Sequence, residues 1–188
     1  MTKRELFNNA LGMIAHDRTI SSLASTESEN VRCEAFWNAA RRSILALYDW
    51  RWIAADASLT ASATKVNGAY YHAAGTGMLR VINVKSATGT PLTYEVVAGR
   101  IRTDAQTVVV RYILDDEEPR NWPPLIQDAV TNELASRIAV PITGNQEIAL
   151  LLREQAMSLA AEAAAQYADN PPAQRPRRQR RPDNDRRN

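Results

Sequence analysis

The chain has 188 residues and a mass of 20.9 kDa, enough for one ordinary domain with a small insertion and too little for a multidomain enzyme. An apolar fraction of 45% and a charged fraction of 23% are typical of globular proteins and argue against disorder of the whole chain. The net charge is only +2, from 23 basic and 21 acidic side chains. Residues 171–188 hold seven Arg and two Asp, so this segment carries +5 and the remainder carries −3.

Cysteine content and hydropathy indicate the cellular compartment in which the protein is expected. Cys33 is the only cysteine, which excludes an intrachain disulfide and a cysteine metal cluster and indicates a reducing environment. No apolar run approaches the roughly 18 residues that span a bilayer, and polar residues from Asn8 to Asp17 interrupt the first apolar stretch, unlike in a signal peptide. We therefore expect a soluble protein that is not exported by the usual route and has no membrane partner.

Two capping-box spacings predict the first two helices. Thr2 and Glu5 are placed so that each side chain accepts a backbone N–H, which predicts a helix over about 3–16. Thr26 and Glu29 repeat this spacing and precede an apolar stripe, which predicts a helix of about 22 residues. The stripe consists of Cys33, Phe36, Ala40, Ile44 and Leu47. Three arginines lie off the stripe and are expected to face solvent or a neighbour: Arg32, Arg41 and Arg42.

The middle of the chain has a strand-like composition. β-Branched residues are concentrated in four runs, at 79–85, 93–97, 100–103 and 108–113, which are the predicted strands. Ala98-Gly99 predicts a tight hairpin between the second and third, because glycine readily adopts positive φ. Residues 57–67 are small and polar, and no strand is predicted there. We interpret this region as a β insertion.

Two further helices are predicted after the insertion. Pro124 lies in the first turn of the third helix, along which Ile126, Val130, Leu134 and Ile138 form an i, i+4 ladder. Pro141 and Gly144 are predicted to end it. The last helix is predicted over about 146–168, and its eight alanines offer a narrow face on which another helix can pack closely.

These elements predict a mainly α, α+β fold, in which a bundle of about four helices carries a small inserted antiparallel β domain. The first part of the bundle is predicted over 1–58, the β domain over 59–121 and the second part of the bundle over 122–169. Residues 170–188 contain no aliphatic side chain larger than alanine, so burial cannot offset the entropy of ordering them. We predict that they form a disordered, Arg-rich C-terminal tail.

The titratable residues form no catalytic constellation. His16 is placed to cap the first helix through its dipole, and His72 falls in a predicted loop. Cys33 lies on the apolar stripe, where a thiol behaves as a small hydrophobic side chain. The acidic run 115–118 is typical of a solvated turn, because adjacent like charges repel. We therefore expect no catalytic residue, no metal, no cofactor and no enzymatic activity.

Two other features point to partners. Trp50 and Trp52 follow the second helix and Trp122 precedes the third, so they either fill the core or also hold the insertion at a fixed angle. The C-terminal arginines are suited to phosphates or to an acidic protein surface, although no aromatic side chain accompanies them to stack on bases. A solubilising role is the third possibility. These arginines are Arg175, Arg177, Arg178, Arg180, Arg181, Arg186 and Arg187.

A series of short segments has a recognisable order and spacing. They are residues 6–11 (LFNNAL), 20–23 (ISSL), 36–42 (FWNAARR), 49–54 (DWRWIA), 79–81 (LRV), 94–96 (YEV), 99–101 (GRI) and 134–139 (LASRIA). Together they resemble the head-tail adaptor, or tail tubular, proteins of short-tailed bacteriophages over about residues 5–168. Asp49 and Ala15 depart from the family pattern, where relatives often have proline and glycine, and the Arg-rich tail is not a family feature.

The resemblance implies a virion protein of the head-tail junction that is assembled in the host cytoplasm. It implies a ring of twelve copies beneath the portal protein, which extends the channel for passing double-stranded DNA without sequence specificity. A tail or nozzle protein would dock on this ring. Two alternatives remain open: a small oligomeric nucleic-acid-binding protein that uses the Arg-rich tail, and a hydrolase in which Glu5 and Asp17 meet in a cleft.

Overall fold

The computed structural model describes residues 1–15, 19–24, 26–61, 65–66 and 68–168. Four α-helices and two small antiparallel sheets make up this part of the chain, with 46% helix and 25% strand, which confirms the predicted mainly α, α+β class. The helices are α1 (Lys3–Met13), α2 (Ser28–Leu45), α3 (Pro124–Thr143) and α4 (Gln146–Tyr167), with a 3₁₀ turn, η1, at Pro119–Asn121. The strands are β1 (Ala54–Thr60), β2 (Tyr70–Ala73), β3 (Met78–Ser86), β4 (Glu95–Val97), β5 (Arg100–Thr103) and β6 (Thr107–Leu114).

The capping box at the start of α1 is confirmed. Glu5 donates its backbone N–H to Thr2 Oγ1 at 3.2 Å, and the Thr2 backbone N–H donates to Glu5 Oε2 at 2.8 Å. The bond from the Thr2 backbone is the main reason that the pKa of Glu5 is lowered. The helix ends at Met13, earlier than predicted, because Ala15 adopts φ +57° and turns the chain away.

The second predicted capping box is wrong. α2 begins at Ser28 with Glu27 as its N-cap, and no side chain caps it. The helix is also shorter than predicted, with 18 residues, and ends at Leu45. Its last turn is satisfied by an aromatic donor, since Trp50 Nε1 donates to the Leu45 carbonyl at 2.9 Å.

Helix α3 is the centre of the bundle, and α1, α2 and α4 all pack on it. Its predicted ladder is confirmed, since Ile126, Val130, Leu134 and Ile138 are fully buried. Pro141 does not end the helix, contrary to prediction, because it lies in the last turn, where the lost N–H bond affects little of the helix. Gly144 does end it, at φ +73°, and donates its N–H to the Val140 carbonyl at 2.9 Å.

The strands form two three-stranded sheets, ordered β1-β6-β3 and β2-β5-β4. The Ala98-Gly99 hairpin is confirmed, with φ angles of +49° and +71°. Strands β1 and β2 were not predicted, and β1 begins at Ala54, upstream of the predicted start of the insertion at 59. The sequence of β1 is poor in β-branched residues, and antiparallel pairing along β6 accounts for its extended form. A second small core lies among the strands, around Val84, Ile101, Val108 and Val110.

Substitution of the central ladder tests the packing of α3. We expect Leu134→Ala to lower the free energy of unfolding by about 2–5 kcal/mol, because it leaves a cavity in the helical core. Leu150→Ala is the matched control, since Leu150 is 63% exposed and its loss should change stability by less than about 0.5 kcal/mol. Urea denaturation followed by circular dichroism measures both, and equal losses would contradict the assigned core.

Candidate interaction surfaces

The tryptophans predicted to stand at the junctions lie in the core where the chain crosses between helices and strands. Trp50 is fully buried and packs edge-on against Tyr48, with ring centroids 5.2 Å apart. Trp52 is half-buried against the helical core. Trp122, at the return crossing, stacks on Trp37 with centroids 5.9 Å apart and rings 13° from parallel. Both crossings are therefore packed by large aromatic side chains.

Arg41 is fully buried, so the prediction that it faces solvent or a neighbour is wrong. Its Nη2 atom lies 2.9 Å from Asp115 Oδ1 and donates to Glu117 Oε1 at 2.9 Å and to Asn38 Oδ1 at 3.2 Å. Burial of an arginine is tolerable only when carboxylates and hydrogen bonds replace its water. The segment after β6 supplies those groups and so is held to α2.

The acidic run 115–118 is therefore not simply a solvated turn. The Asp115 side chain is only 9% exposed, and its Oδ2 accepts a hydrogen bond from Arg42 Nε at 2.7 Å. This bond is the main reason that the pKa of Arg42 is raised. Glu117 reaches Arg41 but stays 70% exposed. Arg41 lies four residues after buried Trp37 and three before Ile44, and this spacing was the sequence signal for its burial.

The segment between α2 and β1 makes two further links. Asp49 forms an ion pair with Arg80 of β3. Arg51 donates its backbone N–H to the Tyr167 carbonyl at 3.0 Å and its Nη2 to the Ala168 carbonyl at 3.0 Å. A cation at the C-terminus of α4 also suits the helix dipole. One short segment thus holds the end of α4 and a strand of the insertion.

Removal of Arg41 tests this junction. We expect Arg41→Met to lower the free energy of unfolding by about 3–5 kcal/mol, because it leaves Asp115 buried with only the half-exposed Arg42 as a partner. Arg42→Met is the matched control and should cost at most about 1 kcal/mol. Denaturant unfolding compares the two, and a tolerated Arg41→Met would show that the buried pair does not hold the junction.

The remaining predicted residues of interest have structural positions. Cys33 is fully buried, and burial raises the pKa of its thiol to about 12. This position agrees with the prediction that Cys33 is a small side chain of the core. His72 is not in a loop, contrary to prediction, but in β2, where it is 1% exposed and its Nε2 lies 3.0 Å from the Ala105 carbonyl oxygen. His16 and Asp17 fall outside the described residues, so the prediction for His16 and the pairing of Asp17 with Glu5 stay untested.

The Cys33 environment gives a chemical prediction. A thiol with a raised pKa is almost fully protonated near neutral pH, and only the thiolate is nucleophilic. Ellman's reagent should therefore leave the native chain unlabelled at about pH 8 and label one thiol per chain in denaturant. Rapid labelling of the native chain would contradict the buried position.

The described residues contain no cluster of three or more metal-ligating side chains and no helix long and apolar enough to cross a membrane. The clefts formed by the described residues include ones of 280, 400 and 570 Å³. The 570 Å³ cleft lies between the start of α1, residues 21–24 and the segment from Glu117 to Arg120. Its lining combines basic and acidic side chains at the surface.

Exposed apolar side chains lie on the outward faces of both α4 and α2. On α4, Leu150, Leu151 and Met157 are 63%, 55% and 44% exposed. On α2, Val31 is 55% exposed and shares the outward face with Ala35 and Ala39. The predicted alanine face of α4 packs within the chain, since four of its alanines are buried in the bundle core. They are Ala156, Ala160, Ala163 and Ala164.

The seven C-terminal arginines, from Arg175 to Arg187, lie outside the described residues. The last described residue, Ala168, is buried and forms an antiparallel β-bridge with Trp50 at the junction. Searches with protein-family models and with curated protein sequences gave no match to this chain.

Proposed function

We propose that this protein is a bacteriophage head-to-tail adaptor. Twelve copies form a ring beneath the portal protein, extend the DNA channel and provide the docking surface for a tail or nozzle protein. The resemblance of residues 5–168 to such adaptors suggests this role. The single observation that supports it most is an outward α4 face on which the apolar side chains of Leu150, Leu151 and Met157 remain exposed.

The shape of the molecule suits an assembly role. α2 and α4 have 18 and 22 residues, so they are about 27 and 33 Å long. The β insertion is joined to them through the buried Arg41 and the packed tryptophans, which gives it a defined position. A subunit that must fit a portal, a neighbour and a tail at once needs such fixed geometry.

The charge distribution is compatible with a DNA channel. The chain up to residue 170 carries −3, so its net charge does not attract the DNA backbone. The tail carries +5, and twelve tails would bring +60 to one annulus, which favours an acidic docking surface on a partner. We propose that the tail engages the portal when the subunit joins the ring.

Portal binding tests this proposal. The purified full chain is mixed with the portal ring of the same phage, and the mass of the complex is measured by light scattering behind a sizing column. We expect one copy of the chain per portal subunit. A chain ending at Asn170 should bind more weakly, because it lacks the seven arginines. Separate elution of full chain and portal would refute the adaptor role.

The alternative function is a small oligomeric nucleic-acid-binding protein, and the concentration of positive charge in the tail is the observation that favours it. Its signature is a steep fall of DNA affinity with salt, since each neutralised phosphate releases counterions. The full chain and the chain ending at Asn170 are titrated with duplex DNA at several salt concentrations. Tight binding that disappears with the tail, without portal binding, would establish the alternative.

A further inference from the structure

The outward faces of α2 and α4 carry opposite charge beside their exposed apolar residues. On α4, Glu147 and Glu154 are exposed next to Leu150 and Leu151, and neither carboxylate forms an ion pair within the described chain. On α2, Arg32 is exposed next to Val31. Its Nη1 donates to the Pro141 carbonyl at 2.8 Å, so a backbone oxygen holds the guanidinium in place.

The outward faces of α2 and α4 point in different directions but lie at the same height along the bundle axis. α2 and α4 both pack on α3, and their backbones make few contacts with each other. Arg32, in the first turns of α2, reaches the last turn of α3, and α4 starts directly after that turn. α2 and α4 therefore both run antiparallel to α3, and the arginine and the glutamates lie near one end of the bundle.

We propose that the outward face of α2 in one copy packs on the outward face of α4 in the next, with Arg32 facing Glu147 and Glu154. Such a contact joins different patches on the two subunits, so it is heterologous and generates a ring when the rotation closes. Because both faces lie at the same height along the bundle axis, they can meet when neighbouring subunits lie side by side. This inference rests on the proposed ring function and specifies the subunit contact within it.

The size of the contact predicts how it behaves. A face about 27 Å long and 10 Å wide covers about 270 Å² on each subunit, or about 540 Å² in total. Stable protein interfaces bury about 1,200 Å² or more. One such contact is therefore weak, and the free chain should be largely monomeric until closure of the ring or a portal adds further contacts. A disulfide cross-link between the two faces is therefore needed to detect this contact.

Disulfide trapping tests the contact. The double variant Ala39→Cys/Ser158→Cys places a thiol on each proposed face and keeps the apolar and charged residues, while native Cys33 stays buried. Under mild oxidation of the concentrated full chain, we expect a ladder of species that extends beyond the dimer. The matched control, Ala39→Cys/Ser58→Cys, moves the second thiol to exposed Ser58 of β1 and should give no ladder. Absence of species beyond the dimer, or equal ladders, would overturn the inference.

Charge reversal tests the role of the arginine. In the trapping variant, Glu154→Arg should lower the yield of higher species about tenfold, because it opposes Arg32 with a like charge. Addition of Arg32→Glu should restore the yield. An unchanged ladder after Glu154→Arg, or no recovery in the compensated variant, would remove this pairing from the contact.

The results of the trapping and portal-binding experiments distinguish a failure of the proposed subunit contact from a failure of the proposed adaptor function. Stoichiometric portal binding without a ladder would show that the ring uses another surface, which overturns the contact alone. A ladder from a chain that ignores the portal would overturn the adaptor function and keep the contact. Both failing together would leave the tail-dependent nucleic-acid-binding alternative as the account of the protein.

Discussion

The buried guanidinium of Arg41 is the constraint on which the arrangement of helices and strands depends. A charge without solvent is costly, and the protein offsets this cost with Asp115, Glu117 and Asn38, all within 3.2 Å of Nη2. The two carboxylates belong to the segment that leaves β6, whereas Arg41 belongs to α2. The charge is therefore satisfied only when the strands and the bundle are in their observed positions. Misplacement of the strands or of the bundle would leave the guanidinium of Arg41 buried without its carboxylate partners.

Other contacts stabilise the same junction between the helical bundle and the β insertion. Asp49 pairs with Arg80, Arg51 holds the end of α4, and Trp122 stacks on Trp37. Both chain crossings are thus fixed by packing as well as by charge. This concentration of contacts at the junction suits a protein whose proposed work is geometric. The outward helix faces, by contrast, retain apolar side chains that the described chain does not cover.

Much of the fold follows from local patterns in the sequence. The capping box at Thr2, the ladder of α3 and the turn at Ala98-Gly99 each depend on neighbouring residues, and each was predicted correctly. β1 was missed because its alanine-rich sequence has weak β propensity and its form depends on β6, some 50 residues away. The end of α2 was missed because the carbonyl of its last residue, Leu45, accepts a hydrogen bond from the side chain of Trp50, which lies beyond the helix.

The candidate surfaces were less predictable. Arg41 looked like a surface residue because charged side chains seldom lie in a core, and its carboxylate partners are more than 70 residues away. The acidic run looked solvated because adjacent like charges repel one another. On α4, alanines pack inside the chain, whereas the exposed Leu150 and Leu151 form the contact between subunits in our proposal. Tertiary placement, rather than composition, decides which helix face remains free.

The central claim is that the junction joins helices and strands into one cooperative unit, which native-state hydrogen exchange tests most directly. The slowest amides of each unit are compared, those of Val108 and Val110 in β6 and those of Val130 and Leu134 in α3. We predict the same opening free energy and denaturant dependence for both sets, because opening either unit breaks the Arg41 cluster. If the β6 amides exchange through a separate opening of lower free energy, the insertion is independent and the account is wrong.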